Sequence, residues 1–106
     1  MNVGQVIRRT AERAPATVGL VDPAADVRFT YREWYERSRA VAAGLRDRGL
    51  GEGDRVATAM RNRAELSTLY CATQLLGARF IPYNFRLSPE DVAHRLRQST
   101  PDVVLH

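Results

Sequence analysis

Ala64-Glu65-Leu66-Ser67-Thr68-Leu69-Tyr70-Cys71-Ala72-Thr73-Gln74-Leu75-Leu76 carries one charge, Glu65, in a chain that is 26% charged. Apolar and small residues point all round the helical wheel, so the stretch predicts a helix buried on several sides, with no face meant for water. Asn62 and Glu65, three apart, read as a capping box at its start. Gly77 reads as its stop, because glycine reaches the left-handed conformation without strain. Short strand-like runs flank it: Arg55-Val56-Ala57-Thr58-Ala59-Met60 before and Arg79-Phe80-Ile81-Pro82-Tyr83 after. Strand, buried helix, strand predicts a βαβ unit with parallel strands and a right-handed crossover.

Outward from this unit, Val3, Val6, Ile7, Ala11 and Ala14 recur at helical spacing and predict an amphipathic helix that stops before Pro15. Residues 17–21 and 27–30 read as two strands, and Asp22-Pro23-Ala24-Ala25-Asp26 supplies the turn of a β-hairpin. Thr30 and Glu33 make a capping box that opens a long helix from Tyr31 to about Arg48. Tyr31, Trp34, Ser38, Val41, Ala42 and Leu45 share its inner face, and Arg32, Glu36, Arg39, Ala43 and Arg46 face out. Gly49 to Asp54 is a tight polar loop. Ser88-Pro89-Glu90-Asp91 opens a further helix running to about Gln98, with serine at the cap and acids in the positive first turn. Val103-Val104-Leu105 begins a third parallel strand. With nothing after His106 to cover that strand, an incomplete domain is expected, with the edge and the apolar side chains Tyr31, Trp34 and Leu45 left exposed.

A chain of 106 residues holds one small core, and 44% apolar residues with few low-complexity signs fit a globular domain. No run of about 18 apolar residues is present to span a membrane, and the amino terminus has no signal-peptide core. One cysteine, Cys71, cannot pair internally, which predicts a reducing, cytoplasmic setting. The net charge is +4, and all sixteen basic residues are arginines. They are spread along the chain with carboxylates nearby, the pattern of a solvated, ion-paired surface more than of a nucleic-acid face. Without lysine, no lysine-dependent base, phosphate ligand or Schiff base can form within the chain.

Gly49, Gly51 and Gly53 follow a helix and precede a strand, the reverse of the order a dinucleotide-binding fingerprint needs. They read as a helix stop and turn. No lysine-bearing phosphate loop, nucleophile elbow or metal-spaced Cys/His cluster occurs. Cys71 reads as a packed core thiol and His94 as a surface residue. In open α/β sheets ligands gather beyond the carboxyl ends of parallel strands, which places Arg61-Asn62-Arg63 and Tyr83-Asn84-Phe85-Arg86 on one edge. Asn62 is explained as a cap, and Asn84 and Arg86 are read as loop-shaping residues ahead of ligand contacts.

Several of these stretches together resemble one family, the adenylate-forming acyl-CoA synthetases of the AMP-binding superfamily. Phe29-Thr30-Tyr31-Arg32-Glu33-Trp34 is similar to its first core motif. Gly51-Glu52-Gly53-Asp54-Arg55-Val56-Ala57 is similar to its turn and strand, and Asn62-Arg63-Ala64-Glu65 to the start of its next helix. Leu76 to Leu87 is similar to the second core motif, and Asn84-Phe85-Arg86-Leu87 followed by Ser-Pro-Glu-Asp is closer to fatty or aryl acyl-CoA ligases than to peptide-synthetase domains. The resemblance implies an α/β fold, a partial N-terminal domain of an adenylate-forming enzyme: a βαβ unit with parallel strands plus an N-terminal helix and β-hairpin. Residues 1–106 would be an incomplete portion of the synthetase domain. The parent reaction would use ATP and Mg²⁺ to form an acyl-adenylate from a carboxylic acid, then pass the acyl group to CoA. The family's phosphate loop, ribose aspartate and catalytic lysine have no matching positions here, so no catalytic, cofactor-binding or metal-ligating residue is assigned, and the chain is expected to be inactive alone. The partner implied is the remainder of the synthetase, whether on the same chain or separately encoded. The rival reading is a small Arg-rich module that binds an acidic partner or nucleic acid.

Overall fold

Val56, Ala57 and Thr58 are almost wholly buried, and they form the middle strand of the principal sheet. The structure is a computed structural model that describes residues 3–58, 64–82, 89–99 and 101–105. The elements run α1 (Val3–Arg13), β1 (Val18–Asp22), β2 (Val27–Thr30), α2 (Tyr31–Asp47), β3 (Arg55–Thr58), α3 (Ala64–Leu76), β4 (Arg79–Pro82), α4 (Pro89–Ser99) and β5 (Val103–Leu105). The fold is α/β. β1 and β2 pair antiparallel as a hairpin, and β4-β3-β5 form a separate three-stranded sheet in which both pairings are parallel. A parallel strand flanked on both edges is buried along its length, and β3 is buried from Val56 to Thr58, with the half-buried Arg55 at its start.

α3 sits where the other elements meet. It packs against α2 and α1, touches β1, and lies over β4. Ala64, Thr68, Leu69, Cys71, Ala72 and Thr73 are buried. Burying a leucine such as Leu69 contributes roughly 1.5–3 kcal/mol. The expectation that no face meets water is corrected at two positions. Glu65 is exposed, and Tyr70 is 37% exposed, its ring edge-on to Phe80 at 5.2 Å.

α2 presents Ser38, Ala42 and Leu45 to the core, while Arg32, Glu36, Arg39, Ala43 and Arg46 are exposed, as the periodicity requires. The expected exposed apolar face of Tyr31, Trp34 and Leu45 is not found. Leu45 is 8% exposed, and Tyr31 and Trp34 are half-buried, because the hairpin covers this end of the helix. Tyr31 lies where a side chain on Gly19 would be; a Cβ there would come within 2.5 Å of its ring. Gly19 is also the extra residue where the β1–β2 register slips between Val18 and Leu20. A bulge at a glycine thus makes room for the aromatic ring that opens α2.

Local signals close the helices as read. The Thr30–Glu33 capping box is complete: the Thr30 hydroxyl accepts from the Glu33 amide at 3.1 Å, and Glu33 Oε1 accepts from the Thr30 amide at 2.9 Å. After α2, Gly49 at φ 91° donates to Arg46 O and Leu50 donates to Leu45 O. After α3, Gly77 at φ 73° donates to Gln74 O and Ala78 donates to Thr73 O. Both are Schellman stops, with glycine in the left-handed position that satisfies the last carbonyls. The Asn62 cap and the Ser88 cap lie outside the described residues.

The arginine stripe on α2 is solvated, and its Arg32 and Arg39 side chains are engaged. Arg32 pairs with Glu36 at 3.2 Å and, on α1, Arg8 pairs with Glu12 at 3.5 Å. Exposed pairs of this spacing contribute a few tenths of a kcal/mol each, roughly. Arg37 instead stacks over Phe29 at 4.4 Å and Arg39 lies 5.9 Å from the Tyr35 ring. No helix of the described residues is long and apolar enough to cross a membrane.

Candidate functional site

The parallel register puts Thr58, Pro82 and Leu105 side by side, so the carboxyl ends of β3, β4 and β5 share one edge of the sheet. This is the edge on which an α/β sheet gathers ligands. The loop residues read there from sequence, Arg61-Asn62-Arg63 and Tyr83-Asn84-Phe85-Arg86, lie outside the described residues. Thr58 is 1% exposed, and among the described residues its hydroxyl finds no hydrogen-bond partner. Trp34 Nε1, on α2, is likewise buried with no partner among the described residues.

Beside this edge lies a trough of about 630 Å³, bounded by the hairpin, α2, α3 and Leu105 of β5. Its walls are largely apolar, with Val27, Phe29, Val41 and Leu69 among them. Three charged residues border it. Arg37 is held over the Phe29 ring, and Glu65 is exposed at the rim. Asp22 is 7% exposed and fully engaged: Oδ1 accepts from the Ala25 amide at 3.3 Å and Oδ2 from the Ala64 amide at 3.1 Å. The last bond is buried and joins residues 42 positions apart. Asp22 therefore caps α3 from the end of β1, giving the positive helix terminus a carboxylate. Sequence reading assigned Asp22 to the hairpin turn and missed this role. Aspartate before proline signals a turn, and nothing local says which distant amide the second oxygen will meet.

The three glycine amides of the Gly49–Asp54 loop are taken up within the fold. Gly49 N–H donates to Arg46 O, Gly53 N–H to Gly77 O at 3.0 Å, and Gly51 N–H to Asp54 Oδ2 at 2.7 Å. Asp54 then starts the β3–β4 ladder, its carbonyl accepting from the Arg79 amide at 2.7 Å. Asp102 does the same for β5: its Oδ2 accepts from Arg55 N–H at 2.7 Å while its own amide donates to Arg55 O at 2.8 Å. Both aspartates fix where the parallel strands begin. The glycines are turn-formers, as expected.

Perturbed titration follows the same structural logic. Hydrogen bonds from the Thr30 amide and hydroxyl hold the Glu33 carboxyl below the usual carboxylate range, with a smaller contribution from Arg37. Burial pushes the Cys71 thiol up, partly offset by a hydrogen bond with Ser38. A thiol raised in this way, wholly buried on α3, is a weak nucleophile. His94 is exposed. Among the described residues no group of three or more His, Cys, Asp or Glu converges to hold a metal. The trough is largely apolar among the described residues.

Residues 7–106 match the family model described as AMP-binding enzyme. The chain belongs to this family. It is 34% identical over 105 residues to the long-chain-fatty-acid–CoA ligase FadD13 of Mycobacterium tuberculosis, covering 99% of this chain and 21% of that protein. It is 32% identical over 101 residues to a 4-chlorobenzoate–CoA ligase of an Arthrobacter species, covering 95% of this chain and 19% of the relative. Among solved structures, the N-terminal domain of FACL13 from M. tuberculosis superposes with TM-score 0.93 at 35% identity, over 97% of this chain and 26% of that one. The N-terminal subdomain of NpsA from Klebsiella oxytoca, in complex with anthranilyl-AMSN, superposes with TM-score 0.91 at 26% identity over 97% of this chain and 26% of that one. The chain spans about a fifth of the length of the curated relatives it matches. Its fold is a small part of the N-terminal domain of adenylate-forming enzymes.

Proposed function

We propose that residues 1–106 are an incomplete portion of a synthetase domain, the opening segment of an ATP-dependent acid–thiol ligase that forms an acyl-adenylate and passes the acyl group to CoA. The observation that carries this reading is the unbroken family match over residues 7–106, on a backbone that follows an N-terminal synthetase domain at TM-score 0.93. Fatty or aryl carboxylic acids are the substrate class, in keeping with the long-chain and chlorobenzoate ligases among the relatives. ATP, Mg²⁺ and CoA would be bound by the parent protein outside this segment, and the setting would be cytoplasmic, in fatty acid metabolism. This segment supplies the βαβ unit and the caps that hold it. It contributes no residue to the chemistry. The rival Arg-rich module is the weaker reading, since Arg8 and Arg32 are paired with glutamates and Arg37 and Arg39 lie over rings.

The test is carboxylate-dependent pyrophosphate release from ATP by the 106-residue chain, with long-chain and aromatic acids offered in turn. No release above the acid-free blank is expected. Turnover by this chain alone would overturn the assignment of the chemistry to other parts of the synthetase.

A further inference from the structure

A second depression, a groove of about 560 Å³, lies between α1, α2 and α3. Its lining includes the small residues Gly4, Ala42 and Ala43, which leave room between the helices, and its walls are basic. Arg8 comes from α1, Arg39 and Arg46 come from α2, and the side-chain amides of Gln5 and Gln74 border the same space. Among the described residues Glu36 is the one carboxylate that lines it, and Glu36 is already engaged, its Oε1 accepting from Arg32 at 3.2 Å. Three guanidiniums against one committed carboxylate leave an excess of positive charge, and a cleft with low-dielectric walls concentrates that field.

The three arginines keep donors for a ligand. Arg46 makes no ion pair or ring contact among the described residues. Arg39 lies 5.9 Å from the Tyr35 ring, and a guanidinium held over a ring by its flat face keeps its N–H edge for an anion. Arg8 meets Glu12 at 3.5 Å in a pair whose side chains are both more than half exposed, and a pair of that kind is given up at little cost.

We propose that this groove binds a soluble polyphosphate anion of two or three phosphates. Guanidiniums and side-chain amides are donors, matched to an acceptor-rich ligand. Arg39 and Arg46 are seven residues apart on α2, about 10.5 Å along its axis, so a short chain of phosphates bridges them better than a single phosphate. The recess between the helices admits a compact anion, whereas a membrane surface or a nucleic-acid duplex meets the helix ridges and leaves the recess empty. The groove includes none of Thr58, Pro82 and Leu105, so this binding is separate from the sheet edge and from the reaction proposed above.

The experiment is calorimetric titration of the 106-residue chain with sodium tripolyphosphate, pyrophosphate and orthophosphate. Saturable binding of tripolyphosphate is expected, weakening as salt rises, with orthophosphate at least about tenfold weaker. Arg39→Gln and Arg46→Gln should each weaken tripolyphosphate binding about fivefold. Both side chains are exposed, and circular dichroism checks that the variants fold as the parent does. Arg28→Gln, exposed on β2 outside the groove, removes the same charge and should change the affinity less than about twofold. The Arg46 side-chain N–H resonance should shift on titration in the parent chain. Absence of saturation overturns the proposal. Equal weakening by Arg28→Gln, or equal affinity for all three anions, also overturns it, since the attraction is then diffuse. Binding to anionic vesicles or duplex DNA that is tighter than to tripolyphosphate and lost in the two groove variants refutes a soluble ligand.

Discussion

Replacing Asp22 by alanine should unfasten α3. The Asp22 carboxylate is 7% exposed and holds two amides, Ala25 at 3.3 Å and Ala64 at 3.1 Å, the second in a buried setting at the start of the helix around which the molecule packs. Loss of an N-terminal cap costs about 1 kcal/mol. Stranding the buried Ala64 amide adds about 1–3 kcal/mol, because it regains no water in exchange. The total is roughly 2–4 kcal/mol, a large share of the stability of any small domain. For a chain of this size each kcal/mol corresponds to a shift in Tm of about 4–8 °C, so the variant should melt at least about 8 °C lower. Asp22→Asn separates the two bonds. Its single carbonyl oxygen can serve only one amide, and its NH₂ faces the other, so it should recover about half of the loss. Urea unfolding followed by circular dichroism gives the free energies, and hydrogen exchange at the Ala64 amide reports the bond itself. A loss below about 0.5 kcal/mol for Asp22→Ala, with Ala64 exchange unchanged, would refute the reasoning that this residue caps α3.

Three other outcomes follow from the same geometry. Gly4 is buried where α1 crosses α3, and a Cβ there would lie 2.9 Å from the Gln74 carbonyl oxygen, a backbone atom that cannot swing away; Gly4→Ala should cost about 1–3 kcal/mol by prising α1 off, seen as early loss of α1 amide protection. The carboxyl of Glu33 is held below its ordinary value by the Thr30 amide and hydroxyl. A lowered folded-state pKa means that its contribution to stability is present above the unfolded-state pKa and is lost as pH falls through the folded-state value. Thr30→Ala keeps the backbone amide and removes only the hydroxyl, so the Glu33 titration, followed by side-chain NMR, should move part of the way back toward the ordinary carboxylate range; an unmoved titration contradicts a contribution from the Thr30 hydroxyl. Cys71 is wholly buried with its thiol pushed up, so labelling at mildly alkaline pH should track global unfolding, and fast labelling of the native chain contradicts its core placement.

What could be read from sequence was local. The Thr30–Glu33 box, the glycines at 49 and 77, and the period of α2 each act over a few residues, and all appear where the pattern puts them. The βαβ unit was legible for the same reason: a charge-poor helix between two short apolar runs has few alternatives. Contacts across the chain were not legible. Asp22 was assigned to a turn because its local partners explain it, and the Ala64 amide 42 residues on leaves no mark in the flanking sequence. Leu45, Tyr31 and Trp34 were expected to be exposed because their helix face was visible and the cover was not; the hairpin that supplies it folds back through a bulge at Gly19 whose only signal is the glycine itself. The sequence reading assigned no catalytic residue because the family's phosphate loop, ribose aspartate and catalytic lysine have no matching positions in it. The three glycines of the Gly49–Asp54 loop show why spacing alone misleads, for their amides are consumed by Arg46, Asp54 and Gly77.

The central claim is that these residues form a structural opening to an adenylate-forming enzyme, with the chemistry supplied by the rest of it. The measurement that tests this most directly is kcat/KM for acyl-adenylate formation by FadD13 carrying this chain in place of its own matching segment. The account predicts a folded graft that releases pyrophosphate only when a fatty acid is present, with the acid preference of the recipient enzyme unchanged. A graft that melts cooperatively like the parent but forms no adenylate, or one whose acid preference changes, would contradict it.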